Sequence, residues 1–243
     1  MIRLVGAELL KLRTTRTFWA LAGSAVGLVL LIVVLSLALD DQLNTEQDVR
    51  DLLSTAGISG LLTLVLGVVV GAGEYRHGTI ASTLLVTPNR FRAVAAQVIA
   101  CGLGGLAIGL AAVALATAIG LPWASAKDAQ LPTGGDLAGD LLGGVLYAGL
   151  AAALGAALGA LLRNQVAAVV IVLVTIFVVD PTLGALVEGV GEFTLTGLGA
   201  AMSGAGDDDS SEVLSRGAAA LVWAGYASLL AVLAAIRTAK RDI

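Results

Sequence analysis

Six stretches of this chain are apolar and contain no Asp, Glu, Lys, Arg or His from end to end: Phe18–Leu39, Leu52–Ala72, Ala93–Leu121, Leu141–Leu162, Val166–Val179 and Gly217–Ile236. A helix rises about 1.5 Å per residue, so a hydrocarbon layer of about 30 Å takes roughly 20 apolar residues. An ionisable group at mid-membrane costs about 2.5–3.5 kcal/mol on insertion scales. Long uncharged runs therefore predict an all-α, polytopic membrane protein with six transmembrane helices, one unit over residues 1–243. Composition agrees: at 58% hydrophobic and 13% charged residues, polar material is too scarce to cover a water-facing surface.

Orientation follows from the basic residues, because loops rich in Lys and Arg stay cytoplasmic. Of the 14 Lys and Arg, a model with the N-terminus inside leaves only Arg50, Lys127 and Arg216 outside. Both termini are then expected in the cytoplasm. Asp40, Asp41, Asp51, Asp136, Asp140 and Asp207 to Asp209 gather on the outer side and read as solvated loop. Cleavage after Ala38 as a secretory signal is disfavoured, since Phe18–Leu39 is longer than a signal core of about 7–15 residues. The single cysteine, Cys101, lies in an apolar run and excludes an internal disulfide. Trp19 and Trp123 are expected at the two headgroup levels.

The fifth run is short, reaching only about 21 Å as a helix. Asp180 and Pro181 follow it, then the Gly-rich stretch Thr182–Ala205. Two readings stand: a re-entrant pair of short helices whose backbone is buried by protein, or a longer fifth helix with an ordinary outer loop.

Several chemistries are absent. None of the three lysines follows a glycine, so there is no phosphate-cradling G-x-x-x-x-G-K-[ST] loop and no ATP hydrolysis by that route. With His77 the only histidine, neither an H-E-x-x-H metal pair nor an intramembrane Ser-His-Asp constellation can form. The chain is expected to bind no metal, cofactor or nucleic acid.

Two charged stretches flank the apolar runs on the cytoplasmic side. In GEYRHGTIASTLLVTPNR, Thr79 can cap a helix of about two turns through Val86, ahead of Pro88. So short a helix is unstable alone and needs packing against its own bundle or a partner. In MIRLVGAELLKLRTTRTFW, Ile2, Val5, Leu9 and Leu12 recur at helical spacing, while Arg3, Lys11 and Arg13 can face lipid headgroups. An interfacial helix over Ile2–Arg13, including Glu8, is predicted.

On these residues the chain resembles the membrane subunit of ABC-2 type ABC transporters, a group related in architecture to the ABCG exporters. The resemblance rests on A-E-L-L-K-L-R before the first span, on G-E-Y-R-H-G-T and L-L-V-T-P-N-R after the second, and on the six-span plan. It implies that the charged loop is a coupling helix gripped by a separate ABC ATPase, which holds ATP and Mg. Glu74, Arg76, His77, Gly78, Thr79, Thr83, Leu84, Pro88 and Arg90 would form that contact. Glu74 would then meet a basic residue of the ATPase; the alternative is a local pair with Arg76 or Arg90. It further implies two ATPase subunits, a second permease subunit, identical or not, and a bacterial plasma membrane. The short outer region has no cysteine pair, unlike the extracellular module of some ABCG relatives.

The second run carries Thr55, Ser59, Thr63, Gly67 and Gly71 at intervals of four. The resemblance places the substrate path beside spans two and five, which assigns Thr55, Ser59, Thr63, Gly67 and Thr175 to that path or to a subunit contact. Ordinary helix packing is the other reading. Gly23/Gly27, Gly105/Gly109 and Gly155/Gly159 match G-x-x-x-G, a weak signal for dimer contacts. The expected function is export of an amphipathic drug, lipid or peptide; a non-transporting scaffold or sensor, or a sodium extruder of the same fold, are the alternatives.

Overall fold

A computed structural model describes residues 1–39, 45–76, 78, 89–127, 130, 135–187, 189–205 and 214–239. Every regular element among them is helical. Six helices are long and apolar enough to cross a membrane: Arg16–Leu39, Glu46–Arg76, Arg90–Ala126, Leu137–Leu162, Gln165–Leu186 and Arg216–Thr238, here spans one to six.

A separate N-terminal helix, Ile2–Thr14, precedes span one. The break comes at a run of hydroxyl residues. Thr14 Oγ1 and Thr15 Oγ1 both donate to the Lys11 carbonyl, at 3.0 and 2.6 Å, and Thr15 is extended. Trp19 is exposed, and its Nε1 donates to the Arg13 carbonyl at 2.8 Å across the bend.

Span two begins earlier than the apolar run suggests. Thr45 and Asp48 form a reciprocal capping box that starts the helix at Glu46, and its first turns bury Val49, Leu52 and Leu53 while Asp51 faces out. A 3-10 turn at Thr55–Gly57 then leads into Ile58–Arg76.

Span five also exceeds its expected end. It continues past Val179 to Leu186 through a π turn at Thr175–Val179. The cause is Pro181, whose ring clashes with the carbonyl four residues back, that of Phe177, so the widened turn absorbs the misfit. The chain then doubles back through a 3-10 turn, Gly191–Phe193, into the short helix Leu195–Ser203. Asp180, 5% exposed, accepts from Thr196 N at 2.9 Å and Thr196 Oγ1 at 3.1 Å, which ties the two limbs. The return helix buries Leu198 and Met202 in the same core as Tyr147 of span four and Trp223 of span six.

Spans two, three and four form the centre, and spans one, five and six lie at the periphery with about a quarter of their residues buried. Span four packs closely against span two along a row of glycines. A Cβ added at Gly67 or Gly71 would run into the carbonyl of Ala152 or Ala156, and one at Gly155 or Gly159 into that of Leu64 or Val68. Small residues let the two backbones touch, and Thr63 Oγ1 closes the contact by donating to the Ala148 carbonyl at 2.8 Å. Gly105 and Gly109 serve spans three and four in the same way, while Gly23 and Gly27 have no atom within 4 Å.

At the end away from the termini, Asp140 is buried and ion-paired with Arg216. That corrects its reading as solvated loop. Spans four and six, 76 residues apart at this pair, are joined there.

Candidate functional site

The end that carries both termini concentrates the polar chemistry, and two clusters frame the segment between spans two and three. The first begins with Glu8. Because Glu8 lies three residues after Val5 and four before Leu12, it shares their face of the N-terminal helix and is carried inward, to 6% exposure. Lys11 Nζ lies 2.6 Å from Glu8 Oε1 and 2.9 Å from Glu74 Oε1, so one ammonium joins a carboxylate of its own helix to one 63 residues further along the chain. Burial pushes the Glu8 carboxyl above its ordinary value; the Lys11 hydrogen bond opposes this, and the nearby Glu74 charge adds to it. Burial alone would lower Lys11, but hydrogen bonds to Glu8 and Glu74 outweigh it and hold the ammonium above its usual pKa.

The second cluster centres on Thr238, fully buried near the end of span six. Its Oγ1 lies 3.1 Å from Tyr75 Oη and accepts from Arg163 Nη2 at 3.1 Å, and its carbonyl accepts from Arg90 Nη1 at 2.5 Å. Arg163, in a left-handed conformation in the turn between spans four and five, also stacks over the Tyr75 ring at 4.8 Å. Spans two, three, four and six are thereby fastened at one point.

Between the N-terminal helix and spans one, two, three and five lies a cavity of about 620 Å³. Its apolar wall includes Phe18, Leu21, Leu66 and Val70, and its polar lining includes Glu8, Lys11, Glu74 and Gln97. Gln97 is 3% exposed; its Nε2 makes one long bond to the Val70 carbonyl at 3.5 Å, and its amide oxygen accepts none from a described residue.

The residues expected at the coupling contact fall as follows. Glu74 pairs with Lys11 of the N-terminal helix. Arg76 donates to Gln165 Oε1 at 3.0 Å and Arg90 to Thr238, so each fixes a span end. Gly78 adopts φ 69°, a left-handed conformation suited to glycine. His77, Thr79, Thr83, Leu84 and Pro88, and with them the predicted short helix, lie outside the described residues.

On the N-terminal helix, Leu12 is buried and Val5 and Leu9 are half-buried, but Ile2 is 89% exposed and Lys11 turns to the carboxylates rather than to headgroups. Arg13 is exposed. Ser59, Thr63 and Gly67 are fully enclosed between helices of this chain, which is the packing reading of the stripe; Thr55 and Thr175 are half-buried. Gly105/Gly109 and Gly155/Gly159 likewise meet their own chain. Sequence reasoning did not find Gln97, Arg163, Thr238 or the Lys11 bridge. A lone amide in an apolar run and the Glu8/Lys11 spacing were the available signals.

No family model matches the chain, and no curated protein matches it.

Proposed function

We propose that the chain is the membrane-embedded permease subunit of an ABC exporter of the ABC-2 type in a bacterial plasma membrane, driven by a separately encoded ATPase and moving an amphipathic cargo. The reading is supported above all by the anchoring of the charged segment at both of its ends. Glu74 and Tyr75 tie the end of span two to the N-terminal helix and to span six, and Arg90 ties the start of span three to the same Thr238.

A load applied to that segment is therefore delivered to four spans together. Coupling needs an element with two discrete arrangements that a ligand biases. Here ATP closure of the partner would push the segment, and the fastened ends of spans two, three, four and six would tilt as one unit against spans one and five. The return helix Leu195–Ser203 would close the outer side as a re-entrant hairpin, its backbone satisfied by Thr194 and Asp180. A second permease subunit would pack against the exposed apolar faces of the peripheral spans.

The test is purification from the native membrane followed by reconstitution in lipid. A P-loop ATPase should co-purify and hydrolyse ATP faster with the chain than without it. Absence of such a partner, or a segment between spans two and three that is labelled from outside intact cells, would refute the reading.

A further inference from the structure

We propose that the 620 Å³ cavity under the N-terminal helix is a binding site for a hydrophobic amine, a molecule with an apolar body and a protonated ammonium. Its size falls in the range of about 300–1,000 Å³ typical of small-molecule sites.

The charge of the ligand follows from which groups can move. The Glu8 and Glu74 side chains are 8% and 11% exposed, while the Lys11 side chain between them is 44% exposed. The carboxylates are fixed by burial; the lysine, on a flexible four-carbon stem, can swing outward. They therefore define a place for an ammonium that Lys11 fills in the empty site, at 2.6 and 2.9 Å. A ligand ammonium can take that place without changing the charge buried there. An anion would have to approach two largely enclosed carboxylates, and Arg76, the other cation lining the cavity, is exposed and already donates to Gln165, which disfavours it.

Two further features receive the rest of such a molecule. Phe18, Leu21, Leu66 and Val70 offer an apolar wall, with the Phe18 ring suited to an aromatic body. Gln97, buried and with an amide oxygen that accepts no hydrogen bond from a described residue, offers a further acceptor for the ammonium. The cavity lies at the end that the permease reading assigns to the cytoplasm. Its role as a first station for cargo rests on that reading, but binding does not.

The experiment uses the full chain without any ATPase, in nanodiscs of phosphatidylcholine, and two probes: dansylcadaverine and dansyl-aminohexanoate. These share dye and linker and differ in terminal charge, positive against negative. Titration by dansyl fluorescence, with empty nanodiscs subtracted, should show the cation binding at least about tenfold more tightly than the anion. Glu74→Gln and Gln97→Leu should each weaken the cation severalfold, and Lys11→Met, which removes the competing ammonium, should strengthen it. Equal binding of the two probes to the unaltered chain would overturn the proposal, as would cation affinity unchanged by both Glu74→Gln and Gln97→Leu. Because no nucleotide or partner is involved, a negative result leaves the ATPase co-purification test untouched, and failure of that test leaves this one standing.

Discussion

Replacing Gly159 by alanine adds one methyl group where span four meets span two, and the geometry fixes what that methyl must do. An ideal Cβ at Gly159 would sit 2.5 Å from the Val68 carbonyl oxygen and 2.7 Å from the Ala72 nitrogen, where ordinary contact begins at 3.4 Å. Both neighbours are backbone atoms and cannot rotate aside, so the helices must separate by roughly 0.9 Å. A gap of that size forfeits about a quarter to a half of each contact worth ~0.1–0.2 kcal/mol, and over roughly 40 atom pairs this sums to about 1–4 kcal/mol. Gly27→Ala is the control: no atom lies within 4 Å, and helix propensity alone should make it neutral or stabilising by up to about 1 kcal/mol. Reversible unfolding in mixed detergent micelles measures both. Should the two variants agree within about 0.5 kcal/mol, the close approach of spans two and four is not what holds the centre together.

Three further outcomes are expected. Asp140→Ala should destabilise the fold by about 1–2 kcal/mol by leaving Arg216 without its carboxylate, and the exchange Asp140→Arg with Arg216→Asp should recover part of the loss, both read from the same unfolding assay. Glu8 binds its proton more tightly in the folded chain than in the unfolded one, where the value is near 4.5. Its contribution therefore weakens the fold as pH rises from about that value through the elevated one, and a melting-temperature profile of Glu8→Gln should lack that part of the slope. Glu74→Arg should leave insertion intact and lower permease-stimulated ATP hydrolysis in the reconstituted complex; if Glu74 acts through Lys11, Glu74→Lys combined with Lys11→Glu should restore it, whereas loss of a contact to the ATPase would not be repaired.

The legible part of the fold was the part that depends on lengths of apolar sequence. The six long helices all fall on the six uncharged runs, yet their limits moved wherever a specific side chain set them. The Thr45/Asp48 capping box advanced the start of span two, and the π turn before Pro181 let span five continue to Leu186. The site was less legible. Glu74 was marked by its place beside an apolar run, but its partner was not, because the contact crosses 63 residues of chain. The stripe Ser59, Thr63 and Gly67, at intervals of four, was visible as small residues without any indication of which helix it would meet.

Amino-acid order alone determined how many helices could cross a membrane and where charge could reside, because the hydrophobic effect and the cost of burying ions act on each segment separately. The angle at which each helix is turned, and so which side chains meet, was decided only by the assembled bundle. Runs that are apolar on every side carry no marked face, and the choice of neighbour falls to the fit of glycines against opposing carbonyls. Only the assembled bundle brings Glu8, Lys11 and Glu74 to one point.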